Sequence, residues 1–183
     1  MRYKEFIIEG RNAVLEAFRA GKTIDKLFVL DGCQDGPVKS ILREAKKTDT
    51  IINFVDKERL DRLANSGHHQ GVVAQAAAYE YAEVEDILNA AKEKGEAPFI
   101  FILDEIEDPH NLGAIIRTAN LCGAHGVIIP KRRAVGLTAT VAKTSAGAVN
   151  YTPVAKVTNI AKTIEELKKE GMWFVCADMD GTP

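Results

Sequence analysis

The residues best suited to chemistry lie in one stretch, Asp104-Glu-Ile-Glu-Asp-Pro-His-Asn-Leu-Gly-Ala-Ile-Ile-Arg117-Thr-Ala-Asn120. It offers four carboxylates, two side-chain amides and a guanidinium within a loop and the helix that follows. Arg117 falls off the apolar spacing of Leu112, Ile115, Ile116 and Ala119. Its planar fork of donors suits a phosphate or carboxylate. A guanidinium holds its proton too tightly for an unassisted Arg to serve as a base. A plainer role is an exposed ion pair with Glu105 or Glu107. Asn111 sits near the helix start, where its amide could cap the helix or meet a ligand. Asp104 and Asp108 read as loop-shaping groups, because Asp-Pro is a turn signal. Nothing else in the chain supports a glycosidase-type acid/base pair.

Four other groups of residues invite a role. His68-His69 suggests a metal, but adjacent histidines without a spaced partner make a poor site. The loop reading or a nucleic-acid contact through His69 and Gln70 fits better. Gly10-Arg11-Asn12 favours a helix entry, with Arg11 free to meet phosphate. Lys131-Arg132-Arg133 is a local basic run in a chain of net charge -2. No global basic field advertises nucleic acid, so any such contact would use patches of this kind. Ser145 to Ala148 is most simply close packing at a helix end.

Several classes are excluded or bounded. No G-x-G-x-x-G or Walker A pattern follows a strand, so phosphate-cradling nucleotide folds do not fit. Cys33, Cys122 and Cys176 are far apart and odd in number, and read as reduced, buried thiols of a cytosolic protein. No apolar run approaches membrane-spanning length, and the N-terminus lacks a signal pattern. The expected location is the cytoplasm.

The elements that must position these groups follow from periodicity. Helices are expected over 11–20, 37–47 and from 57 to about 65, the last capped by Asp56. Strands are expected over 26–30, 51–55 and 72–78. This gives an α/β unit over 1–78. A polar linker over 79–96 contains a short helix around 84–92. From Pro98 the pattern restarts, with strands over 99–103 and 126–130, an extended stretch over 152–157 and a strand over 173–176. Helices are expected over 111–122, around 137–143 and over 160–170. Strands alternating with helices predict a parallel sheet with crossover connections.

The Asp104–Asn120 segment resembles the first signature of the SpoU/TrmH-type RNA ribose 2′-O-methyltransferases, part of the knotted SPOUT superfamily. Asp104, Asp108, Pro109, Asn111, Gly113, Arg117 and Thr118 fit the pattern. Thr144-Ser-Ala-Gly-Ala148 resembles the family's small-residue segment. Ile8-Glu-Gly-Arg-Asn-Ala-Val14 and His69-Gln-Gly-Val-Val73 resemble its ribosomal-protein-L30-like RNA-binding domain. Most of the 183 residues are covered. The likeness is greatest to enzymes that methylate a guanosine ribose in large-subunit rRNA.

The resemblance implies an α/β protein with an L30e-like RNA-binding domain over 1–78 and a parallel-sheet, trefoil-knot methyltransferase domain over 97–183. It implies S-adenosylmethionine as cofactor without a metal, rRNA as substrate and a homodimer. Asn111 and Arg117 take catalytic roles. Arg11, Asn12, His69, Gln70, Lys131 and Arg132 face RNA, and Ala177, Asp178 and Met179 form the cofactor rim. Two further family signatures, a G-x-E-x-x-G loop and an S-L-N-V-S-x-A helix start, are absent. The expectation is a methyltransferase domain cut short before the knot. tRNA as substrate, or a non-catalytic RNA-binding module, stay open as alternatives.

Overall fold

A computed structural model describes residues 6–177. Two sheets organise them. The first has the order β1-β4-β2-β3 and comprises β1 (Ile7–Glu9), β2 (Ile24–Leu30), β3 (Ile51–Val55) and β4 (Val72–Ala76). It is mixed: β2 pairs parallel with β3, while β4 runs antiparallel to both β1 and β2. Helices α1 (Arg11–Arg19) and α2 (Gly36–Lys47) share a core with this sheet, built on Val14, Phe18, Leu27, Val29, Val38 and Ile41. Helix α3 (Lys57–Leu63) joins a second cluster, with Leu60 against Phe28 and Val73. Asp56 caps α3, accepting from Arg59 N at 2.7 Å. The short β1 escapes periodicity because three residues give too little alternation to separate a strand from a loop.

The second sheet is parallel throughout, with β5 (Ile100–Ile102), β6 (Gly126–Pro130) and β7 (Val154–Val157) in sequence order. Strand β6 lies in the middle and is buried along its whole length. An apolar run with no alternation is what a parallel strand covered on both faces requires. Helices α5 (Pro109–Leu121) and α6 (Ala139–Thr144) cover one face. Helices α4 (Val84–Lys94) and α7 (Ile160–Lys169) cover the other. Helix α4 lies within the segment expected as a linker, yet its Ile87 is fully buried on the second sheet. A Cβ placed on Gly126 would lie 2.5 Å from Ile87 Cδ1, so the glycine lets α4 approach.

Two expectations are corrected. The segment 173–176 is not a strand of the sheet. Met172 and Phe174 face the core while Trp173 and Val175 are exposed, so it alternates like a strand but lacks a paired neighbour. The cysteines are not all buried: Cys122 and Cys176 are exposed and Cys33 is half-buried. Cys122 follows the last turn of α5, beyond the helix face that packs on the sheet.

Candidate functional site

Strands β5, β6 and β7 end together at one edge of the second sheet. Leu103 N donates to Ile128 O at 2.9 Å, and Lys131 N donates to Val157 O at 2.7 Å, just past the strand ends. Open parallel sheets bind ligands outside this carboxyl edge. The loops leaving it are tied together. Arg133 Nη1 lies 2.5 Å from Glu105 Oε1, and Val135 N donates to Ile106 O at 2.8 Å. Both members of the ion pair have left-handed backbones, Glu105 with φ 51° and Arg133 with φ 57°. Such conformations cost energy outside glycine and gather at functional rims.

The signature helix α5 starts two residues earlier than expected, at Pro109. Asp108 is its cap, accepting from His110 N at 2.7 Å, and Pro109 pre-sets the first turn. The cap is therefore not Asn111, which lies inside the first turn and is exposed. Arg117 is also exposed, and its expected pairing with Glu105 or Glu107 does not form among the described residues. Glu105 is taken by Arg133 instead. Asn111 and Arg117 are six positions apart on the helix, about 9 Å along the axis and about 120° around it. They do not lie on one face of the helix.

Gly113 explains the small-residue segment. A Cβ at Gly113 would sit 1.9 Å from Thr144 Oγ1 and 3.0 Å from Ser145 N. Thr144 Oγ1 donates to Thr140 O at 2.9 Å and lies 3.3 Å from Pro109 O, so α6 is latched to the first turn of α5. Asn120 Nδ2 donates to Thr152 Oγ1 at 3.0 Å near the far end. These contacts hold the helix that carries Arg117.

In the first unit the structure brings Arg11 and Gln70 together. Arg11 Nε donates to Gln70 O at 3.0 Å, and Arg11 Nη2 lies 2.7 Å from Asp35 Oδ2. Asn12 is exposed beside them. His69 differs: its side chain is only 7% exposed. Gly71 N donates to Nδ1 at 3.0 Å, so Nε2 carries the hydrogen toward Asp61 Oδ1 at 2.9 Å. The ring is consumed in bracing the loop. Among the described residues no cluster of three or more His, Cys, Asp or Glu is placed to hold a metal.

Sequence reasoning missed the seam between the units. Lys156 Nζ lies 2.5 Å from Asp25 Oδ1, and the two are 131 residues apart in the chain. Tyr81 donates to Asp25 Oδ1 at 3.0 Å and accepts from Leu137 N at 2.8 Å. The Lys156 ammonium sits 4.4 Å from the centre of the Tyr81 ring. A Cβ on Gly136 would fall 2.0 Å from Asp25 Oδ2, so only glycine lets this carboxylate seat. Burial, reinforced by the Asp25 carboxylate, pushes the Tyr81 phenol well above its ordinary range. Burial likewise lowers the Lys156 ammonium, against the opposing pull of Asp25. Lys131 and Asp49 form a second ion pair across the seam. Arg132, next to it, is exposed. Ala177 of the expected cofactor rim is exposed, while Asp178 and Met179 lie outside the described residues.

A parallel-sheet unit, with the helix that carries Arg117 leaving its carboxyl edge, is joined to a mixed-sheet unit. Residues 7–82 match a family described as RNA 2′-O ribose methyltransferase substrate binding, and residues 98–183 match the SpoU rRNA Methylase family. The chain is 53% identical over 92% of its length to a putative TrmH family tRNA/rRNA methyltransferase, YacO, of Bacillus subtilis, covering 68% of that protein. It is 48% identical over 97% of its length to a protein of the same description from Staphylococcus haemolyticus, covering 71% of it. The chain belongs to the SpoU/TrmH family of RNA methyltransferases. Among solved structures, an rRNA methyltransferase from Sinorhizobium meliloti matches 91% of this chain at 23% identity with a TM-score of 0.42. The chain spans 59% of that protein. An AdoMet complex of the SpoU methyltransferase AviRb from Streptomyces viridochromogenes matches at 18% identity and a TM-score of 0.42. The chain spans 60% of it.

Proposed function

We propose that this protein transfers a methyl group from S-adenosylmethionine to the ribose 2′-oxygen of a guanosine in large-subunit rRNA. The observation that carries the reading is the family signature at the carboxyl edge of β5, with Arg117 exposed and free of a carboxylate partner among the described residues.

The cofactor supplies a methyl already activated on sulfonium, so the chain's own task is alignment and help with one proton. Arg117 grips the phosphate beside the target ribose and orients its hydroxyl. Asn111, about 9 Å along the helix, holds a neighbouring group of the RNA. Helix α5 keeps both in place because Thr144 and Asn120 fix its two ends. The residues fit the cofactor at one edge. Trp173 to Ala177 are anchored on the core by Phe174 and pair with no strand among the described residues. Their amides and carbonyls are thus available to an adenosine, and Ala177, with Asp178 and Met179 beyond it, would hold that end.

Arg11, Asn12 and Gln70 form an RNA-facing cluster on the first unit, with His69 holding its shape. Lys131 and Arg132 add contacts from the second unit. A homodimer and a cytoplasmic location complete the reading. Leu121, 81% exposed one turn beyond Arg117, favours a second copy near the site. No helix among the described residues is long and apolar enough to cross a membrane.

The test is methyl transfer from labelled S-adenosylmethionine to separate large-subunit rRNA and tRNA pools, with mapping of the modified ribose. Label in the guanosine 2′-position of rRNA is the expected result. Label in tRNA alone would move the substrate, and cofactor binding without transfer to either pool would sink the reading.

A further inference from the structure

A cleft of about 750 Å³ separates the two units. Lys26, Lys46 and Arg59 line it from the first unit, and Lys131, Arg132 and Arg133 from the loop after β6. The whole chain has a net charge of -2. Within the cleft these six cations meet a single lining carboxylate, Asp49. Lys26, Lys46, Arg59 and Arg132 have no carboxylate partner among the described residues. Gathering like charges on facing walls is unfavourable without an anion between them, and such walls focus the field into the gap.

Asp49 is the exception that defines the ligand. Its backbone is left-handed, φ 52°, and its carboxylate lies on the Lys131 ammonium. That conformation closes the C-terminus of α2, where Thr50 N donates to Ala45 O at 2.8 Å, and it fixes where the carboxylate points. An anion entering the cleft would compete with this carboxylate for the same lysine. The opposite end of the cleft reaches the signature loop, because Arg133 pairs with Glu105. Cations from two facing walls suit one strand running between them. A duplex is instead read across its broad minor groove by a surface.

We propose that this cleft grips the phosphodiester backbone of a single RNA strand, and that Asp49 holds Lys131 until a phosphate displaces it. The inference rests on the RNA-methyltransferase reading for the nature of the strand, and it adds Lys26, Lys46 and Arg59 to the binding surface.

The experiment is fluorescence anisotropy of a labelled single-stranded RNA dodecamer with the full chain over a series of salt concentrations. In a Lys26→Gln, Arg59→Gln, Arg132→Gln triple variant, affinity falls. The slope of log K against log salt shrinks by about 2, since each lost single-strand contact is worth about 0.7. Asp49→Asn has the opposite sign: affinity rises severalfold because a competing anion is gone. A carboxylate that only fastened the units together would give weaker binding in that variant. An unchanged salt slope in the triple variant, or weaker binding by Asp49→Asn at an unchanged melting temperature, overturns the proposal. Methyl transfer by the same proteins separates the two readings. Transfer with an unaltered RNA KM in the triple variant removes the cleft and leaves the enzyme. Cleft-dependent RNA binding without any transfer removes the enzyme and leaves the cleft.

Discussion

Gly113 and Thr144 are in van der Waals conflict with any larger residue at the first position: an added Cβ would lie 1.9 Å from Thr144 Oγ1 and 2.8 Å from its Cβ. The obstacle is a β-branched side chain in a helix, stiff at χ1, and not the loose end of a long chain. Gly113→Ala should therefore destabilise the protein by about 1–3 kcal/mol through overpacking, despite the better helix propensity of Ala. Urea denaturation measures it. Stability equal to or above the parent would show that α5 and α6 can separate freely.

The Arg117 side chain is exposed and makes no hydrogen bond or ion pair among the described residues. Arg117→Ala should leave the melting temperature unchanged and cut methyl transfer about 100-fold or more, the usual loss for one donor to a reacting group. Arg117→Lys should restore little, because a point charge cannot reproduce the bidentate fork. Full activity in the Ala variant would remove Arg117 from the site.

The Asp25–Lys156 pair is buried, with side chains 5% and 14% exposed. Removing one partner strands a buried charge, so Lys156→Met should cost about 3–5 kcal/mol. An Asp25→Leu, Lys156→Met double variant should recover much of that loss. A double-mutant cycle on thermal unfolding reads the coupling, and strict additivity would deny that the pair acts as a unit.

Tyr81 sets an alkaline limit. Its folded pKa is raised above the ordinary value of 10.0, first by burial and then by the Asp25 carboxylate. A raised pKa means the stabilising contribution is complete below about pH 10 and is lost as pH climbs toward the folded value. Wild-type stability should thus fall more steeply above pH 10 than that of Tyr81→Phe. The variant should start lower by about 1–3 kcal/mol, because Leu137 N loses its acceptor. Parallel pH profiles would contradict this account.

His69 is a brace in the described structure. His69→Ala should lower stability by about 1–3 kcal/mol by freeing the Gly71 amide and Asp61. Gln70→Ala, at an exposed position, should affect RNA affinity more than stability. Chemical denaturation beside a binding titration compares them, and the reverse order of effects would make His69 the contact.

The sequence by itself determined the two α/β units, most of their helices and the family. Helical spacing with caps such as Asp56 is local, and the signature packs many unusual residue types into one run. The strands over 26–30 and 126–130 were legible because buried strands need continuous apolar character, and the structure buries Phe28, Val127 and Ile129 in them. The sequence also located Arg117 off the apolar face. What it missed depends on contacts across long separations. Asp108 takes the cap because a bend at Asp108-Pro109 starts the helix early, which apolar spacing from Leu112 onward cannot signal. Segment 173–176 has strand-like alternation, but pairing is a property of a neighbour and not of the segment. Folding alone makes room for Thr144 at Gly113, brings Asp25 to Lys156, and sets the Lys131–Arg133 run opposite Lys26, Lys46 and Arg59. Each of these joins residues whose chemistry is ordinary in isolation, and becomes specific only when chain folding brings the partners within a few ångströms.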